Sequence, residues 1–156
     1  MATTLRQIND FWALKRLAVV GVSRDPKSFS HAIWQELRDR GYDVVAVNPK
    51  AQEIDGKPCY PRVQDVDPPV DGVVVMTPPA VTDQVVQDCA AAGVAHVWLH
   101  RGLGGSGSVT PGAVEFCETH GIDVVAGFCP YMFLPESPFF HSFHRVAKRL
   151  TGSYPH

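Results

Sequence analysis

Residues 17–26, Leu17-Ala18-Val19-Val20-Gly21-Val22-Ser23-Arg24-Asp25-Pro26, run from an unbroken apolar segment through a glycine into a polar turn. An apolar run without alternation is the pattern of a strand buried on both faces of a sheet. Four further runs share it: Asp43 to Val47, Gly72 to Met76, His96 to His100 and Asp123 to Ala126. Helical patterns lie between most of them. Ser30 to Arg40, Val81 to Ala92 and Pro111 to His120 each carry apolar residues at helical spacing and stop at Gly41, Gly93 and Gly121. Strands alternating with helices predict a parallel sheet built from right-handed crossovers.

The expectation is therefore an α/β chain, a Rossmann-like three-layer sandwich around a five-stranded, mostly parallel sheet, formed by residues 1–156 as one domain. An N-terminal helix over 3–14 is predicted from Leu5, Ile8, Phe11 and Trp12, and a C-terminal helix over 138–151 from Phe139, Phe143, Val146 and Leu150. Lys50 to Val70 holds Gly56, Pro58, Pro61, Pro68 and Pro69, which predicts loops and a short helical turn.

Composition narrows the function classes. With 45% hydrophobic and 19% charged residues, 156 residues can bury a full core. Fourteen basic against sixteen acidic residues give a formal net charge of -2, which excludes a general polyanion-binding surface, so no nucleic acid is expected as partner. No apolar run approaches the roughly 18 residues that span a bilayer. The opening Met1 to Arg6 lacks the plan of a secretion signal. A cytoplasmic protein without a membrane partner is expected, with buried, reduced thiols at Cys59, Cys89 and Cys117. Pairing with a second copy, or with another protein, is left open.

In such sheets ligands bind beyond the carboxyl ends of the strands, where strand order reverses. After the first strand, Gly21, Val22, Ser23 and Arg24 form a turn that leads to a helix start at Ser30 and His31, whose amides suit a phosphate. The second and third glycines of the Gly-x-Gly-x-x-Gly fingerprint are missing. After the second strand comes Asn48-Pro49-Lys50, where NAD sites place an acidic residue. A lysine cannot accept hydrogen bonds from a ribose, but it pairs with a phosphate on one. Coenzyme A and NADP both fit that sign. Thr77-Pro78-Pro79 offers a rigid apolar wall at the third exit, and His100-Arg101-Gly102 closes the fourth. Cys129-Pro130 follows the fifth strand in a mostly apolar segment.

These exits together resemble the small coenzyme-A-binding protein family, a Rossmann-type domain similar to the N-terminal domain of the succinyl-CoA synthetase alpha subunit. The matching pieces are Val20 to Pro26, Ser30-His31, Gly41 to Val44 with Val47 to Lys50, Gly56 to Tyr60, Val97 to Leu99 with Gly102, and Cys129-Pro130. The resemblance implies a site for coenzyme A or an acyl derivative. Gly21 to Arg24 would form the first turn, and Lys50 would meet the ribose phosphate. Thr77, Pro78 and Pro79 would flank the adenosine, with Gly102, Cys129 and Pro130 toward the pantetheine. The chain departs from the family at His100, where glutamine is frequent, and at Thr77-Pro78, where Phe-Arg is common.

The expected domain uses all 156 residues, so the phosphohistidine-bearing second domain of the synthetases is not expected and the chain is not read as a ligase. No catalytic triad or nucleophile elbow is recognisable. A binding or regulatory role leads, with catalysis left undecided. The alternatives are an NADP-dependent oxidoreductase, a thiol-dependent enzyme or redox sensor built on Cys129, and a metal site from His141 and His144 with His100 or Cys129.

Overall fold

The computed structural model describes residues 3–101, 107–128 and 130. The chain opens with α1 (Leu5–Trp12), a helix too short to hold itself in water. A capping box seals its start: the Thr4 hydroxyl accepts from the Gln7 amide, and the Gln7 side chain accepts from the Thr4 amide. Packing holds the rest. Phe11 and Trp12 meet the Trp98 ring at centroid distances of 5.5 and 5.1 Å, edge-on and tilted respectively. Such pairs add about 0.5–1.5 kcal/mol each beyond burial.

The chain continues through β1 (Arg16–Val20), α2 (Phe29–Asp39), β2 (Asp43–Val47), β3 (Glu53–Ile54) and β4 (Lys57–Tyr60). A single 3-10 turn (Val63–Asp65) leads to β5 (Gly72–Val75), α3 (Pro79–Ala91), β6 (His96–His100), α4 (Pro111–Thr119) and β7 (Asp123–Phe128). The sheet order is β3-β4-β2-β1-β5-β6-β7. All neighbours are parallel except the β3–β4 hairpin.

The sheet thus has seven strands, which corrects the expectation of five. Both additional strands come from the proline-rich segment. Asp55 and Gly56, with φ of 50° and 75°, make the tight turn between β3 and β4. That turn conformation needs two left-handed residues, and Asp-Gly supplies them. Strand β4 then lies parallel to β2, with Ala46 opposite Cys59 and Val47 opposite Tyr60. Numbering only the six mutually parallel strands, the order becomes 3-2-1-4-5-6, that of a dinucleotide-binding sheet. Its reversal point falls between β1 and β5.

Successive residues feed two cores. Val19, Val74, Trp98 and Val125 face α1 and α2, whereas Ala18, Val73, Val97 and Val124 face α3 and α4. This two-sided burial explains why the strands lack alternation. The helix expected over 138–151 lies outside the described residues. No helix among those described is long and apolar enough to cross a membrane.

Candidate functional site at the strand reversal

Gly21 sits at the reversal point. Its amide donates to Val47 O at 2.9 Å, extending the β1–β2 ladder by one step. Its φ is 95°, and a Cβ placed there would lie 3.1 Å from the Met76 carbonyl carbon and oxygen and 3.2 Å from Thr77 Cγ2. Glycine is therefore required twice, by the backbone angle and by the approach of the β5 exit.

Beyond it the turn braces itself. The Ser23 amide donates to Ser30 Oγ at 3.0 Å, the Asp25 amide to Ser23 Oγ, and the Lys27 amide to Asp25 Oδ1. The Ser28 hydroxyl caps α2 by accepting from the His31 amide at 3.2 Å. The His31 amide expected to hold a phosphate thus already has a partner. The His31 ring is buried, with Nε2 2.8 Å from Asp55 Oδ2 in the hairpin turn, and stands edge-on to Trp34. It braces the hairpin against α2. Val22 is wholly buried and its carbonyl accepts from Asn48, while Arg24 is exposed.

Asn48 ties the first two exits together. Its Nδ2 donates to Val22 O at 2.8 Å, and its Oδ1 accepts from the Lys50 amide at 2.8 Å. The amide group thereby sets both the β1 turn and the turn carrying Lys50. Pro49 and Lys50 are exposed. At the third exit the Thr77 hydroxyl shares a 3.0 Å hydrogen bond with Thr82, and Thr77 O accepts from Ser108 Oγ at 2.6 Å. Pro78 and Pro79 begin α3, where a missing N–H costs nothing.

Gly21, Pro49 and Thr77 line one cavity of about 390 Å³, within the size range of small-molecule sites. Valines 20, 47, 63, 81 and 85 supply most of its wall, and Arg62, Gln84 and Asp88 its polar groups. Lys50 adjoins this cavity in sequence but does not line it. Arg62 does, although sequence reasoning did not single it out. The signal was there: Pro61-Arg62 directly follows β4, at a strand exit like the others. Hydrogen bonds to Asp65 at 3.2 and 3.3 Å hold the Arg62 guanidinium above its ordinary range, with the more distant Asp88 adding to the effect.

The described residues of the fourth and fifth exits do not line this cavity. The Arg101 amide donates to Phe128 O at 3.2 Å, and its side chain is exposed. The His100 ring lies 5.3 Å from the Phe29 ring, and burial lowers its pKa below the usual imidazole range. Its Nδ1 is buried without a hydrogen-bond partner. Pro130 is buried. Gly102 and Cys129 lie outside the described residues, as do His141 and His144. Among the described residues no three His, Cys, Asp or Glu side chains gather as a metal-binding group.

The geometry places a small, apolar-walled cavity at the strand reversal of a dinucleotide-type sheet, and comparison with known proteins agrees in kind. Residues 15–135 match the profile of the CoA binding domain. The chain belongs to that family. It is 30% identical over 139 residues to the ADP-forming acetate–CoA ligase I of Archaeoglobus fulgidus, a match covering 85% of this chain and 20% of the ligase. The chain thus spans about a fifth of that enzyme. It is 28% identical to the uncharacterized protein YneT of Bacillus subtilis, over 74% of this chain and 82% of that one. The solved structure of a hypothetical protein from Pyrococcus horikoshii OT3 superposes with a TM-score of 0.75 at 28% identity, covering 82% of this chain and 87% of its own.

Proposed function

We propose that the protein binds coenzyme A, free or acylated, as a binding or regulatory domain acting in the cytoplasm. The observation that carries this reading is the cavity between Gly21, Pro49 and Thr77 at the strand reversal. Its valine and proline walls suit an adenosine. The first turn, Gly21 to Arg24 with the α2 start at Ser30 and His31, receives the pyrophosphate. Amides already engaged within that turn leave the remaining amides and Arg24 to carry the charge.

Lys50 meets the ribose phosphate, and Arg62, on the adjoining exit, supplies a second cation there. Pro78 and Pro79 extend the wall beside the base. Arg101 and Pro130, which follow β6 and β7, lie toward the pantetheine, and the family resemblance assigns Gly102 and Cys129 to the same part of the ligand. Family membership supports this reading, as does the absence of any acidic side chain at Asn48-Pro49-Lys50, where NAD sites hold one.

Calorimetric titration with coenzyme A, dephospho-coenzyme A and NADPH tests it. Removing the ribose phosphate, or making Lys50→Ala, is expected to weaken binding by about 1.5–3 kcal/mol, as for a charge-assisted contact. Equal affinity for the two coenzyme A forms would refute the Lys50 assignment. Preference for NADPH would refute the ligand.

A further inference from the structure

The lining of the cavity at the strand reversal carries one cation and one anion. Arg62 follows β4, and Asp88 lies on the third turn of α3. Asp88 is not left to turn freely. Its Oδ1 accepts from Gln64 Nε2 at 3.2 Å and from Gln84 Nε2 at 3.1 Å. Gln64 gives one N–H to Asp88, and its carbonyl Oε1 is buried and without a partner. An ionised carboxylate only accepts hydrogen bonds, and so does an amide oxygen. Asp88 thus brings to the cavity lining a carboxylate that is held in place by two amides and can only accept.

We infer that Asp88, positioned by Gln64 and Gln84, selects the base of the bound nucleotide, admitting an aminopurine and rejecting an oxopurine. Adenine presents an exocyclic amine, a donor, where guanine and hypoxanthine present a carbonyl oxygen. The amine can donate to Asp88. A carbonyl would face Asp88 with no proton between them, and both groups would lose their water unpaired. The same polarity sets the ligand's direction, because phosphate is repelled by Asp88 and drawn to the Arg62 and Lys50 side. This inference rests on the coenzyme A reading given above and names the part of the site that reads the base.

The test compares coenzyme A with its hypoxanthine counterpart, which differs only in the 6-oxo group and the N1 proton, by calorimetry on the full chain. The unaltered protein is expected to bind coenzyme A roughly tenfold to a hundredfold more tightly than the oxopurine form. In Asp88→Asn, a near-isosteric change whose amide donates as well as accepts, that ratio is expected to collapse toward one. Lys50→Ala should weaken both ligands together and preserve the ratio.

Equal binding of the two ligands by the unaltered protein overturns the inference while leaving the coenzyme A reading standing. So does an unchanged ratio in Asp88→Asn. Failure of the unaltered protein to bind either ligand overturns both.

Discussion

Gly21→Ala separates the two demands on that position, because the chain contains its own control. Gly41 has nearly the same backbone angle, φ of 91° against 95°, but a Cβ there would meet nothing within 4 Å. Gly41→Ala therefore measures backbone strain alone, about 1–2 kcal/mol, reduced by the lower entropy of the unfolded alanine chain, about 0.4–1 kcal/mol. Gly21→Ala carries the same strain and adds contacts of 3.1 Å to the Met76 carbonyl group. Those atoms belong to the backbone at the end of a central strand, where Met76 N–H donates to Val20 O at 2.9 Å, so they cannot swing aside as a side-chain tip would. Overpacking of this kind costs about 1–3 kcal/mol. The expected losses are about 1 kcal/mol for Gly41→Ala and about 2–4 kcal/mol for Gly21→Ala. At roughly 2–4 °C per kcal/mol for a chain of this size, the second lowers Tm by about 5–15 °C. Urea unfolding of both variants gives the difference directly, and calorimetry should show coenzyme A binding weakened only by Gly21→Ala. Equal stability losses in the two would refute the contact argument.

Asn48→Ala removes the link between the β1 and β2 exits, two hydrogen bonds of 2.8 Å. Its expected cost is about 1–3 kcal/mol in urea unfolding, with weaker coenzyme A binding as the Lys50 turn loosens; unchanged affinity would deny Asn48 a role in placing that turn. Cys117, buried at the α3–α4 side of the sheet, is pushed up to about 11 from an ordinary 9.0, chiefly by burial and then by Glu118. Since its pKa is raised by folding, stability is full below about pH 9 and falls as pH climbs toward 11, at about 1.4 kcal/mol per pH unit for one thiol. Cys89 is raised in the same direction by burial, so Cys117→Ala should lessen the alkaline slope without abolishing it. Superimposable slopes would contradict this.

The five predicted parallel strands, β1, β2, β5, β6 and β7, were legible because each holds a run of mostly buried apolar residues without an alternating polar face. The strand pair β3–β4 was hidden because its residues look like anything but a strand. Glu53-Ile54 is two residues long, and Lys57-Pro58-Cys59-Tyr60 carries a proline. Proline is tolerated at that point because the antiparallel partner is a two-residue outer strand and the parallel pairing to β2 begins only at Cys59. Asp55-Gly56 was the available clue, a local turn signal stronger than the prolines around it. Missing β4 also hid its exit, and with it Arg62. Gln84 and Asp88 were passed over for a different reason. They lie one turn apart on α3, a polar pair that reads as the solvent face of a helix until the 3-10 turn packs across it and closes the cavity.

The added strand bears on which cation would recognise the phosphate of the proposed ligand. A strand on the far side of β2 extends the carboxyl edge of the sheet past Lys50, so that turn is flanked on both sides by strand exits. Asn48 N–H donates to Tyr60 O at 2.9 Å, which fixes the β4 exit to the β2 exit as firmly as Gly21 fixes β1 to β2. Arg62 follows that anchored residue by two positions and lines the cavity, whereas Lys50 follows Asn48 by two and stands exposed outside it. A guanidinium can grip a phosphate with two parallel hydrogen bonds, and an ammonium acts as a point charge. On the proposed coenzyme A reading, Lys50 would meet the ribose phosphate from the solvent side and Arg62 would add a second cation from the cavity wall. In that role Arg62 would release Asp65, and because that ion pair is exposed, little stability opposes the exchange.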